Sequence, residues 1–228
     1  GGVEKLAVVL GECKALAHLN LSGNPIGETG AGVKILSSVL GECTALTHLR
    51  LKRIQMRNVG LGQLAGVLGK CKALAHLDLM GNNLLGSEAG ESLVTVLSEC
   101  KSVAYLDLSY NCFFAEGAGK LAGVLRECKA LARLDLSSNL IGDEGAGKLT
   151  EVLGECKALA HLDLSDNNLT TDGAERLAKV LGGCRALAHL DFSCNNLGVQ
   201  GTGRLTSVLG ECKKLKSASG SCRWDFVV

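Results

Sequence analysis

No sign of charge dominates this chain. Lysine and arginine together number 24, aspartate and glutamate 23, and the formal net charge is +1. There is no global basic or acidic excess to draw nucleic acid or a membrane surface. No apolar run approaches the roughly 20 residues that a bilayer-spanning helix needs. The H-E-x-x-H pattern is missing, and the histidines have no periodic Ser or Cys nucleophile beside them with an orienting acid, so no catalytic set is evident. Gly142-Asp143-Glu144-Gly145-Ala146-Gly147-Lys148-Leu149 comes close to a phosphate-binding loop, but Leu149 stands where Ser or Thr is required. Related glycines in Gly117-Ala118-Gly119-Lys120 mark that run as part of a repeat, and nucleotide binding is set aside. Aromatic residues make up only 3%. The opening Gly1-Gly2-Val3-Glu4-Lys5-Leu6 is neither a signal peptide nor a natural initiator. It is expected to be the helix of an earlier repeat, cut mid-unit in a larger protein.

What is present is a hydrophobic content of 46% against 21% charged residues, enough for a sizeable core and against disorder. Cysteine also recurs at Cys13, Cys43, Cys71, Cys100, Cys128, Cys156, Cys184 and Cys212, with gaps of 30, 28, 29, 28, 28, 28 and 28 residues. A period of that size makes the chain a stack of similar units. Only Cys112, Cys194 and Cys222 fall off the period, and the total of 11 is odd. Secreted disulfide scaffolds are short and loop-rich, so the thiols are expected to be reduced and the compartment cytoplasmic.

Aligned on cysteine, one unit reads Cys156-Lys157-Ala158-Leu159-Ala160-His161-Leu162-Asp163-Leu164-Ser165-Asp166-Asn167-Asn168-Leu169. Leu162-Asp163-Leu164 alternates with period two, which predicts a short strand with leucines inward and His161, Asp163 and Ser165 outward. Ala174, Leu177, Ala178 and Leu181 then mark one face of a helix. Thr171 or Asp172 is expected to cap its start and Gly182 to follow its end, as Gly41, Gly69, Gly154 and Gly210 do in other units. Identical strands joined by helical crossovers run parallel. Helices are bulkier than strands about 4.8 Å apart, so the stack curves with its sheet inside.

The pattern L-x-x-L-x-L-x-x-N, here Leu159, Leu162, Leu164 and Asn167, followed by a helical half in a 28–29-residue unit, resembles the ribonuclease-inhibitor-like class of leucine-rich repeats. The resemblance covers about Leu6 to Leu215. It implies an α/β fold: a curved solenoid, or horseshoe, with a parallel sheet on the concave face and helices on the convex face. Residues 1–228 then form a single domain, with 1–12 the helix of a preceding partial repeat, 13–211 seven repeats, and 212–228 a partial repeat with a C-terminal cap or tail. The same repeats occur in ribonuclease inhibitor, NOD-like receptors, Ran GTPase-activating protein and tropomodulin-like actin regulators, so the fold does not select a function.

Equivalent residues in such a stack form columns. The cysteines are expected to fill the turn from helix to strand as buried thiols, with a redox switch between neighbouring rungs as the sharper reading. The asparagines Asn24, Asn82, Asn111, Asn139, Asn167 and Asn195 are expected to satisfy loop backbone groups, with Ile54 interrupting them. All five histidines, His18, His48, His76, His161 and His189, share one outward column with Tyr105 and Arg133. Two residues on lie Asn20, Arg50, Asp78, Asp107, Asp135, Asp163 and Asp191. Neighbouring aspartates at that spacing repel by about 1 kcal/mol in water, so the column reads either as a solvated face or as an acidic groove for a basic partner. Lowering the pH through about 6.5 should charge the histidines and weaken such binding. Pairs such as His76 with Asp78 diverge on a flat ladder whereas metal ligands converge; no metal and no cofactor is expected.

Three units depart from the pattern. In the second, Arg50 and Lys52 should face the groove with Arg53 at its edge, a basic stretch too short for nucleic acid. The fourth carries Tyr105 and Tyr110, the only tyrosines, a residue type enriched at binding hot spots. Phe113 and Phe114 replace the usual loop apolar residue and glycine and are expected in the core. The last unit departs from the repeat after Leu215, and Trp224 and Phe226 are expected to fold over the solenoid end or to dock elsewhere. The resulting expectation is a non-catalytic protein-interaction or scaffold module. It would bind a protein partner, a basic one on its acidic column, mainly through Arg50, Lys52, Arg53, His76, Asp78, Tyr105, Asp107, Tyr110, Arg133, Asp135, His161, Asp163, His189 and Asp191. No nucleic-acid partner and no membrane insertion are expected, and the chain is expected to form part of a larger chain or complex. The alternatives are a structural subunit of a large assembly, or a regulator of a GTPase or nuclease.

Overall fold

A computed structural model describes residues 2–210, 212 and 214–219. Cys222, Trp224 and Phe226, with the expected cap or docking tail, lie outside the described residues. Helix and strand alternate throughout: α1 (Gly2–Glu12), β1 (His18–Asn20), α2 (Ala31–Leu40), β2 (His48–Arg50), α3 (Arg57–Leu68), β3 (His76–Asp78), α4 (Gly86–Glu99), β4 (Tyr105–Asp107), α5 (Phe114–Leu125), β5 (Arg133–Asp135), α6 (Gly142–Leu153), β6 (His161–Asp163), α7 (Thr171–Leu181), β7 (His189–Asp191), α8 (Gly198–Leu209) and β8 (Ser217–Ser219). The strands form one open parallel sheet in chain order, and the fold is a curved α/β solenoid. Registers match residue for residue, as in Arg133↔His161, Leu134↔Leu162 and Asp135↔Asp163. The outward columns are therefore physical rows.

Each helix buries one stripe. In α7 that stripe is Gly173, Ala174, Leu177, Ala178 and Leu181, while Leu162 and Leu164 enter the same core from the strand side. Each fully buried leucine contributes about 1.5–3 kcal/mol, and stacking makes one continuous core of these contributions. The glycines that imitate a phosphate loop serve packing between helices. A Cβ on Gly145 would sit 3.1 Å from the Ala115 Cα and 3.3 Å from the Ala118 Cβ.

Four details differ from expectation. Thr170, one residue earlier than expected, caps α7 by accepting the Asp172 N–H. The glycines after α2, α3, α6, α7 and α8 sit in right-handed backbone, so conformational freedom is not what selects them there. Phe113 is fully buried, but Phe114 is 40% exposed. After Leu215 the sheet continues, with β8 pairing to β7 in register, because ladder bonds need only backbone.

The cysteine and asparagine columns hold the repeats together. From Cys43 onward the Sγ atoms of the column point at helix-end carbonyls: that of Cys71 at Leu40 O (3.5 Å), that of Cys100 at Leu68 O (3.1 Å) and that of Cys184 at Leu153 O (3.6 Å). These acceptors have no partner within their own helix. Burial pushes the Cys100, Cys128 and Cys184 thiols up to about 11 and raises Cys43, Cys71 and Cys156. Thiols kept protonated are poor nucleophiles, which favours the packing role over the redox switch. Cys194, in contrast, is disulfide-bonded, which corrects the expectation that every thiol is reduced.

The asparagines act as clasps. Asn167 Nδ2 donates to Leu136 O (2.9 Å) and Ser165 O (3.0 Å), while its Oδ1 accepts the Asn139 and Ile141 N–H groups, each at 3.2 Å. Asn82, Asn111 and Asn195 repeat the arrangement. Asn139 does not: its Oδ1 is buried without a partner.

Candidate binding face

Outward positions of the short strands stand roughly perpendicular to the sheet, and strand spacing brings flat rings into contact. His18 stacks on His48 with centroids 4.2 Å apart, His48 on His76 at 5.2 Å, and His76 on Tyr105 at 3.9 Å with 7° between planes. The Arg133 guanidinium carbon lies 5.5 Å from the Tyr105 ring centre. Beyond it, His161 stacks on His189 at 4.2 Å. One nearly continuous row of π surfaces therefore runs along the sheet, with Arg133 as its exposed cationic member.

The row is poorly suited to carrying charge. Burial lowers the His48, His76 and His161 pKa values, and neighbouring His and Arg side chains lower them further; His76 falls to about 4. Arg50 Nε also points at His76 Nε2, 3.4 Å away. The expectation that these rings charge near pH 6.5 is corrected for these three, because a stack of rings between arginines disfavours a proton.

The aspartate row is less free than its composition implies. In each turn one carboxylate oxygen accepts the backbone N–H two residues on: Asp78 from Met80, Asp107 from Ser109, Asp135 from Ser137, Asp163 from Ser165 and Asp191 from Ser193, at 2.8–3.1 Å. Ser109, Ser137 and Ser165 add their hydroxyls at 2.6–2.8 Å. These are Asx turns that end the strand, and Asp107 is buried. Burial raises the carboxyl pKa of Asp78, Asp135 and Asp163. For Asp135 it reaches about 6, with Asp163 and Asp107 adding repulsion. The serine two residues after Asp107, Asp135, Asp163 and Asp191 is the sequence signal for this role; Met80 stands there after Asp78 and offers only its backbone N–H.

Of the fourteen candidates, Arg133, His161, Asp163, His189 and Asp191 line one shallow hollow of about 360 Å³ together with Ser217, whose hydroxyl lies 2.7 Å from His189 Nδ1. Arg50, His76, Asp78, Tyr105, Asp107 and Asp135 continue the same face through the strand pairing. Lys52 is half-buried at its edge. Arg53 and Tyr110, with φ of 52° and 54°, belong to the loops and not to the sheet face. No group of three or more His, Cys, Asp or Glu side chains converges as a metal site among the described residues.

These features define a class: a repeat solenoid offering an extended sheet surface rather than a closed pocket. Residues 12–32, 70–94, 99–122, 128–149 and 155–178 match the Leucine Rich repeat family. The chain belongs to that family, whose members generally mediate protein–protein interaction and are typically non-catalytic. No curated protein matches, whereas 123 chains of solved structures do. An internalin from Listeria monocytogenes str. 4b F2365 has a TM-score of 0.52 at 16% identity, over 92% of this chain and 62% of its own. The Leiomodin-1 Actin-Binding Site 2 structure has a TM-score of 0.43 at 20% identity, over 48% of this chain and 64% of its own. The chain thus spans less than two thirds of either.

Proposed function

We propose that this chain is a non-catalytic module that binds a protein partner across its sheet face. The repeat class is the ribonuclease-inhibitor-like one, supported by the 28–29-residue unit with a full helix. The observation that carries the binding reading is the π row, whose centre pairs Tyr105 with an exposed Arg133. Aromatic and arginine side chains are the residues on which binding energy concentrates. Basic groups of the partner lie against Asp135, Asp163 and Asp191, and acidic ones against Arg50 and Lys52. Free thiols at Cys43, Cys71 and Cys100 fit an intracellular, reducing compartment; the disulfide at Cys194 stands against it.

Affinity capture from native material tests this reading. Tyr105→Ala and Arg133→Glu alter the face without touching the leucine core, and Lys179→Glu on the exposed side of α7 is the control. Loss of the captured protein with both face variants and retention with the control is expected. Capture unchanged by both face variants, or lost only with Lys179→Glu, overturns the sheet face as the site.

A further inference from the structure

Where strands pass into helices, the fourth repeat departs from its neighbours. Phe114 opens α5 with φ of 51°, the position at which Gly86, Gly142 and Gly198 open α4, α6 and α8 with φ of 52°, 62° and 64°. Left-handed backbone suits glycine and strains a side chain with a Cβ. Tyr110 and Leu140 share this conformation, with φ of 54° and 58°. Burial within the chain does not offset the strain. Exposure is 40% for Phe114, 43% for Leu140, 50% for Leu85 and 56% for Tyr110.

These side chains lie on adjacent loops. Leu85 forms a parallel bridge with Cys112, and the Phe114 N–H donates to Asn139 O at 3.1 Å, directly before Leu140. Three of the four, Tyr110, Phe114 and Leu140, are in left-handed backbone, whereas Leu85 is extended. Apolar surface exposed together on adjacent loops, most of it on strained residues, marks a contact site.

The charges flanking the patch indicate what covers it. Arg53 and Arg57 are exposed on the loop of the second repeat, and Asp166 and Asp172 on that of the sixth. Ser138 Oγ donates to Asp166 Oδ2 at 2.8 Å and holds that carboxylate in place. The fourth repeat lies midway. A two-fold axis through its loop places the third repeat on the fifth and the second on the sixth, and it reverses the strand-to-helix direction of each loop. The edge then matches itself, with an apolar centre and oppositely charged flanks.

We propose that this loop edge is a self-complementary interface that takes a second copy of the chain. Tyr110 and Phe114 of one copy meet Phe114 and Tyr110 of the other, Leu85 faces Leu140, and Arg57 and Arg53 meet Asp166 and Asp172. The sheet face stays open on both copies, so partner binding and self-association are separate properties.

Sedimentation velocity across the micromolar range is the test. The chain should show a reversible monomer–dimer equilibrium. Phe114→Gly installs the residue found at the neighbouring helix starts, so it should fold with an equal or higher thermal midpoint and remain monomeric. Arg57→Asp and Asp166→Arg should each weaken the dimer about tenfold, and the chain carrying both should regain most of that loss. A chain that is monomeric at every concentration overturns the proposal and assigns the patch to a different protein. A dimer that survives Phe114→Gly, or a double variant no tighter than either single one, also overturns it.

Discussion

Replacing Asp135 with asparagine should make the protein more stable near neutral pH. Within the fold the Asp135 carboxyl is raised from the ordinary 3.8 to about 6, first by burial and then by repulsion from Asp163. A carboxyl whose folded pKa exceeds its unfolded one is easier to ionise in the unfolded chain. Below pH 3.8 both states are protonated and there is no penalty. As the pH rises toward 6 the unfolded chain ionises first, and above 6 the folded state bears the full cost. A gap of that size corresponds to about 3 kcal/mol. In the Asp135→Asn variant the amide oxygen would still accept from the Ser137 N–H and Oγ. The first repeat already contains that arrangement, with Asn20 Oδ1 accepting the Ser22 N–H at 3.0 Å. The Ser137 hydrogen bonds to the carboxylate are already included in that net shift, so a neutral amide in place of the carboxyl gains about 3 kcal/mol at pH 7.5 and well under about 1 kcal/mol at pH 4. Urea unfolding of both proteins at the two pH values measures the difference. A variant that is less stable at pH 7.5, or equally stabilised at both, would refute the account of the aspartate row as a buried, mutually repelling ladder.

Two further outcomes are expected. Asn167→Ala should cost about 4 kcal/mol, from four buried hydrogen bonds at about 1 kcal/mol each; Asn139→Ala should cost about 1–2 kcal/mol less, because its Oδ1 bonds nothing, and denaturant midpoints of the pair check this. Alkylation of the folded chain at pH 8, followed by mass mapping, should leave Cys100 and Cys128 intact, because burial holds both thiols protonated, while the partly exposed Cys13 and Cys112 react.

Much of the fold was legible because the period-two and period-four patterns come directly from how strands and helices point their side chains. Leu162 and Leu164 against Ala174, Leu177 and Leu181 sufficed to place sheet, helix and core. The columns were legible for the same reason, since parallel strands in register preserve position. What chemistry the columns perform was harder to read. Stacking of the histidines depends on ring orientation and strand spacing, which no residue letter carries. The aspartates look like free charges because charge is conspicuous, whereas the backbone N–H two residues on, which turns each into a strand stop, leaves at most a serine at four of the five positions as a quiet signal. Phe114 was misplaced because hydrophobicity argues for burial, and a backbone dihedral that turns a side chain outward is invisible in composition.

The asparagine clasps have a mechanical consequence. Each one grips the preceding repeat, so tension along the array passes from clasp to clasp like load along a zip. Two seams are under-fastened. Between the first two repeats Ile54 supplies no amide at all, and between the fourth and fifth Asn139 holds by its Nδ2 while its Oδ1 hangs idle. Drawn from its ends, the solenoid should part at these seams first and come away in blocks. The middle block keeps Tyr105, Asp78, Asp107 and the basic end of the sheet face, and the block beyond it keeps Arg133, Asp135, Asp163 and Asp191. The second seam runs between Tyr105 and Arg133, so pulling would divide the centre of the face before either half unfolds.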